Sequence, residues 1–412
     1  MRVTQILVLL ATTLLSACIG GSGTTAATNN TVPATPNTLT VSVDSGPAAA
    51  TGAINHAYVT VKICTAGSKT QCASIDHVLL DTGSWGLRLV GSVLAASGVA
   101  LSGETDAQGL AIEECVTFGG GQTWGPVAFA DVSLAGESAA KLPVQIMDDA
   151  GTSAPPPAAC GAGGTLINGV SGFDANGVLG VGVFAQDCGA ACVNAAAPLP
   201  IYYGCTAAGV CTAENAALSA QVTNPVAMFA ADNNGIIVSL PNLVNANGDA
   251  SVQGELIFGI ATQVDNALPA TGLTVLGANA SGDFTATYTI NGVATALPAL
   301  IDSGIDSYAF NDPTIAVCAT GAFIGYYCPV AAPQAAFAVN SGVGVNNATN
   351  TVDFAIADPN TFVANAAAFI DLAGGGGSTT FTWGMPFFYG RKIYIGIDQR
   401  VAATYTGPYY AY

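Results

Sequence analysis

The chain has 412 residues, room for one large domain or two medium lobes around a sizeable core. Apolar residues make up 51% and charged residues 8%, and Lys+Arg 8 against Asp+Glu 26 gives a formal charge of −18. That balance argues against a nucleic-acid partner and against adsorption to anionic lipid, both of which need a basic face; the apolar content argues against disorder, and two His argue against a His-rich metal site.

In chain order, residues 1–17 carry one basic residue, Arg2, and an apolar stretch from Ile6 to Leu15 that ends in small residues. The stretch is too short for a membrane span and reads as a cleaved secretory signal. Residues 18–38, rich in Gly, Ser, Thr, Asn, Ala and Pro, read as a flexible tether. Strand-like alternation begins at Leu39–Val43 and returns at Ala57–Ile63, and His77–Leu80 runs straight into Asp81. Val116-Thr117-Phe118, three glycines and Trp124–Leu134 predict a hairpin with a glycine tip. Residues 151–164 predict a loop, and Glu214–Val222, free of Gly and Pro, is the best helix candidate. Further strands are predicted at Gly235–Leu240, Glu255–Gly259 and Lys392–Ile397, with an Asn291-Gly292 hairpin within Thr285–Ala296. The division expected is an N-terminal lobe over 39–245 and a C-terminal lobe over 246–412.

Of eleven cysteines, ten remain when Cys18 is set aside, an even number suited to disulfides in an oxidising compartment. Cys64 and Cys72 flank a polar hairpin tip and are expected to pair, as are Cys318 and Cys328. Cys188, Cys192, Cys205 and Cys211 allow three connectivities, which the spacing leaves open.

An approximate repeat carries the chemistry. Leu79-Leu80-Asp81-Thr82-Gly83-Ser84 recurs as Leu300-Ile301-Asp302-Ser303-Gly304-Ile305, and each copy is followed at similar spacing by an apolar run ending in Gly, Val178-Leu179-Gly180 and Thr382-Trp383-Gly384. Two like lobes, each presenting one Asp at a strand end, would bring two carboxylates together. Such a pair shares one proton, so one member can take a proton from water while the other polarises a carbonyl. The glycines would permit tight turns, and the Thr82 and Ser303 hydroxyls would bond across the axis. His56 and His77 read as structural. There is no Gly-x-Ser-x-Gly elbow and no phosphate-binding Gly-rich loop with Lys.

This ordered set resembles the pepsin-like aspartic peptidases over roughly residues 52–400. Leu80–Ser84 and Ile301–Gly304 match the two catalytic loops, and Val116–Gly121 stands where the family has its flap. Asn176–Gly180, Gly254–Gly259, Trp383–Phe388 and Ile393–Asp398 match the remaining motifs. Asp81–Arg88 further resembles an uncharacterised bacterial family of exported proteins. The resemblance implies an all-β, two-lobed double β-barrel with a cleft between lobes. It implies an endopeptidase with Asp81 and Asp302 as the catalytic pair, supported by Thr82, Gly83, Ser84, Ser303 and Gly304. Phe118, Gly119, Gly120 and Trp124 would face substrate from the flap. Asp306 would contact substrate backbone, since Asp302–Asp306 is closer to the retroviral pattern Asp-Thr-Gly-Ala-Asp.

No metal or organic cofactor is implied, the partner expected is a peptide or protein, and a monomer is expected. Leu15-Ser16-Ala17-Cys18 resembles the bacterial lipobox, which implies lipid on Cys18 and, with Ile19 next, anchorage in the outer membrane. Two departures from the pattern motivate an alternative: Phe118 replaces the flap tyrosine, and Ile305 stands where a hydroxyl residue would bond the second Asp. A peptide-binding or inhibitor-like module without turnover is that alternative, and a structural surface lipoprotein is a third reading.

Overall fold

A computed structural model describes residues 36–412 apart from 51, 162–163, 246 and 376–378; the signal segment, Cys18 and most of the tether lie outside the described residues. The alternating run around Leu39 forms the strand Thr38–Val43, antiparallel to Val252–Phe258. Val252–Phe258 pairs in turn with Gly235–Ser239, which pairs with Lys392–Gly396, which pairs with Tyr409–Ala411. This antiparallel sheet joins the two halves of the chain from beneath. The end of the stretch assigned above to the tether is ordered here: Thr38 opens the strand, Asn37 is buried with its amide on the Phe258 carbonyl, and the Pro36 carbonyl accepts from the Gly136 N–H.

In the first lobe, Ala57–Thr65 and Cys72–Asp81 form a hairpin whose ends are tied by the Cys64–Cys72 disulfide. Gly177–Val181 inserts between Cys72–Asp81, to which it is parallel, and Trp85–Val90, to which it is antiparallel; Asp81 stands opposite Gly180. All five of its residues are buried, as expected of a strand covered on both faces. The second lobe repeats the arrangement. Phe381–Trp383 lies parallel to Val293–Ile301 and antiparallel to Tyr308–Phe310, with Ile301 opposite Trp383. The motif Thr382-Trp383-Gly384 is bulky because its strand supplies the aromatic core, where Trp383 packs against Tyr308, Phe354 and Phe387. Asn291 and Gly292 take φ of 52° and 77°, the pair of left-handed residues a two-residue hairpin turn requires. The architecture is all-β, with two lobes that repeat one strand arrangement.

Two local expectations fail. Glu214–Val222 forms no α-helix, only a single tight turn at Leu218–Ala220. Its Glu214 and Ala216 N–H groups are taken by the Tyr202 and Cys192 carbonyls, so tertiary partners outbid a weak helical propensity. The α-helix Gly91–Ser97 went unread because Val90 offers no side-chain cap and a glycine opens it; only Gly98, left-handed at φ 75°, marks its end. The open cysteine connectivity resolves to Cys188–Cys192 and Cys205–Cys211, with Cys115–Cys160 and Cys318–Cys328 completing the set among described residues.

Candidate active site

Asp81 ends its strand, and Asp302 directly follows Ile301, its N–H held by the Trp383 carbonyl at 3.0 Å. The two loops are locked to each other reciprocally. Thr82 Oγ1 donates to the Ile301 carbonyl (2.9 Å) and accepts from the Ser303 N–H (2.9 Å). Ser303 Oγ donates to the Leu80 carbonyl (2.6 Å) and accepts from the Thr82 N–H (3.2 Å). Both hydroxyls are buried, so each bond lost would leave a desolvated group unpaired. The glycines serve close approach rather than turn conformation, since neither takes a left-handed φ. A Cβ on Gly83 would lie 2.3 Å from Asp302 Cγ, and one on Gly304 would lie 2.8 Å from Asp81 Cγ. Only bare Cα atoms let each carboxyl lean over the opposite loop.

The two carboxyls are not equivalent. Asp81 accepts from the Gly83 N–H (2.8 Å), the Ser84 N–H (3.1 Å) and the Ser84 hydroxyl. Asp302 accepts one bond from its own loop, from Gly304 N–H at 2.8 Å, because Ile305 brings no hydroxyl. Burial, the Asp81 charge and a hydrogen bond to Asp81 push the Asp302 carboxyl well above the usual range, against the pull of the Gly304 and Gly83 N–H groups. The shared proton therefore rests on Asp302.

Both carboxyls open into a cleft of about 740 Å³. Ala111–Phe118 and Gly121–Leu134 form the hairpin that roofs it, with Gly119-Gly120 at the tip. Phe118, Gly119 and Gly120 all line the cleft. The tip reaches across to the second loop, where a Cβ on Gly119 would sit 3.9 Å from Ile305 Cδ1. The hairpin is braced behind the tip by Cys115–Cys160. Trp124 belongs to that brace and not to the cleft, which corrects its expected role. It is buried against Tyr203, with its indole N–H on the Ala154 carbonyl. Asp306 is likewise absent from the cleft wall; its carboxylate accepts from the Tyr326 hydroxyl and its carbonyl from Asn55.

Several cleft residues escaped the sequence reading. Arg88, almost fully buried, reaches Glu114 on the flap strand (2.8 Å) and Asp187 (3.2 Å), and its guanidinium stands 5.6 Å from the Phe118 ring. Tyr202 donates to Asp187 at 2.7 Å. Burial pushes the Glu114 carboxyl well up, Arg88 opposing and Asp187 adding to the shift. This charged cluster joins the Asp81 loop to the hairpin above the cleft at its base. Its sequence signal was Arg88 at the end of the Asp81–Arg88 run, which carried no role for the side chain. His56, read as structural, lines the cleft together with Phe173 and Asp174. The one cluster among described residues with metal-ligand spacing, Cys318, Cys328 and Asp358, has its two sulfurs joined as a disulfide.

A family model described as "Protein of unknown function (DUF3443)" matches residues 33–412. No curated protein matches the chain. Among solved structures, an aspartic proteinase from Irpex lacteus is similar at a TM-score of 0.49 and 13% identity, over 91% of this chain and 96% of that one.

Proposed function

We propose that this chain, which belongs to that family of proteins of unknown function, is an aspartic-type endopeptidase. The observation that carries the reading is the pair Asp81 and Asp302, held by two mutually locked loops at the floor of a roofed cleft. In the reaction proposed, a water between the carboxyls loses a proton to Asp81 as its oxygen attacks the peptide carbonyl carbon. Asp302 gives its proton to the carbonyl oxygen. The C–N bond then breaks as Asp81 gives its proton to the nitrogen and Asp302 takes one back from a hydroxyl of the tetrahedral diol, with no covalent enzyme intermediate. An extended peptide suits the cleft, because strand-like backbone pairing binds without strict demand on sequence. Five disulfides favour an exported site of action, and lipid on Cys18 in the outer membrane completes that proposal.

The test is cleavage of an unbiased peptide mixture by the purified protein between about pH 3 and 7, the range from dyad pKa values to neutrality. D81N and a statine-type inhibitor serve as controls. Turnover that disappears in both controls supports the proposal. No turnover by folded, disulfide-intact protein sinks it and favours the second reading, a peptide-binding module without hydrolysis. One observation favours that second reading: neither Phe118 nor Ile305 supplies the hydroxyl that its position has in the peptidases the chain resembles.

A further inference from the structure

Peptide hydrolysis alone does not account for the end of the cleft beside Phe118. His56, Leu79, Phe173 and Asp174 meet there. Tyr58 ties them together: its hydroxyl donates to the Asp174 carbonyl at 2.7 Å, its ring stands 6.1 Å from His56, and it packs in one buried cluster with Leu79 and Phe173. Phe173 meets Phe118 edge-on at 5.1 Å, which puts this wall under the flap.

Two polar groups in the wall lack partners. His56 Nδ1 is buried and makes no hydrogen bond. The Asp174 carboxylate, half-buried, takes no hydrogen bond or salt bridge from any described residue, since Tyr58 bonds its backbone carbonyl instead. No cation among the described residues answers it. Arg88, the only Lys or Arg in the cleft wall among the described residues, is committed to Glu114 and Asp187. Burial holds the His56 pKa down, against the raising charges of Asp306 and Asp174, so the imidazole stays neutral over most of the pH range.

We propose that this wall is a subsite for a basic side chain, lysine or arginine, of an extended peptide. The Asp174 carboxylate receives the cation, His56 walls the site as a neutral ring, and Leu79 and Phe173 cover the aliphatic stem. The proposal rests on the peptidase reading only in placing a peptide in the cleft. A half-desolvated ion pair of this kind favours lysine over a neutral side chain of the same shape on the order of tenfold.

Labelled octapeptides that carry lysine, its neutral analogue norleucine or glutamate at one position, swept along the peptide, would be titrated by fluorescence anisotropy into purified D81N protein at pH 6. The expected result is one position at which lysine binds on the order of tenfold tighter than norleucine. D174N should erase that preference. Asn tolerates the left-handed φ of 48° at this site and keeps the backbone bond from Tyr58, so the fold should persist, which circular dichroism checks. As a measurement independent of that variant, raised salt should shrink the preference in the D81N protein. Equal binding of lysine and norleucine at every position, a preference that survives D174N or high salt, or no peptide binding at all would each overturn the proposal. Because D81N is read by binding, the outcomes separate. A lysine preference in a protein whose unsubstituted form shows no turnover removes the peptidase reading and leaves the subsite standing.

Discussion

Glu113 makes the stability of this protein fall as pH rises. It sits on the flap strand opposite Pro126 and Tyr203, is 4% exposed, and its Oε2 has no partner. Burial, with Asp148 adding, pushes its carboxyl up to about 8. The folded state thus keeps a proton that the unfolded chain releases near pH 4.5. Between those values the unfolded state binds fewer protons, so unfolding becomes easier as pH rises, by about 1.4 kcal/mol per unit for one such group. From pH 5 to 7 the loss is ~2–3 kcal/mol, and with an unfolding entropy that scales with chain length this is roughly 3 °C in Tm. Glu113→Gln keeps the shape of the protonated acid and removes the linkage. Differential scanning calorimetry of both proteins at pH 5 and 7 reads the difference. The variant should lose about 3 °C less than the unsubstituted protein over that interval. Equal losses in the two proteins would refute the reasoning.

Under the proposed hydrolysis, the raised Asp302 carboxyl should place the upper limb of the pH profile of kcat/KM above the ordinary carboxylate range; a maximum below about pH 3, near the pepsin dyad, would contradict this. Gly83→Ala places a methyl 2.3 Å from Asp302 Cγ and forces the pair apart, so turnover should fall on the order of 100-fold while far-UV circular dichroism stays unchanged. Arg88→Met leaves Glu114 and Asp187 buried without their cation, which should cost about 3–5 kcal/mol in urea unfolding near neutral pH. Replacing Cys115 and Cys160 by Ser should raise amide hydrogen exchange across 116–122 and leave exchange in Val293–Ile301 unchanged, because the bridge braces only the hairpin.

The lobes were legible in the chain because their signals are local. Alternation announced the strand at Leu39–Val43, Asn291-Gly292 announced a turn, and the repeat around Asp81 and Asp302 announced two equivalent strand ends. A repeat of this kind states that two sites are alike, and a strand end states that a side chain leaves the sheet. Two of the disulfides, Cys64–Cys72 and Cys318–Cys328, were legible from their short loops, whereas the shorter spans Cys188–Cys192 and Cys205–Cys211 lie in one cluster of four cysteines whose spacing leaves the pairing open.

What the fold decided is everything that depends on which surfaces meet. Trp124 and Phe118 lie on the same hairpin with equal claim to the cleft, yet pairing puts one against Tyr203 and the other over the dyad. Asp306 follows the Asp302 loop as closely as a substrate-binding residue would, but Tyr326, twenty residues on, claims its carboxylate. His56 has no motif at all and becomes a cleft residue only because Tyr58 and Asp174 are folded beside it. Arg88 is one basic residue in a run of apolar ones until Glu114 and Asp187 close on it from other strands and loops. The amino-acid sequence determined that two aspartates would stand at matching ends of two matching lobes. Their unequal protonation, the roof above them and the wall beside them were decided by tertiary contact, because burial and partner charge belong to neighbours in space and not to neighbours along the chain.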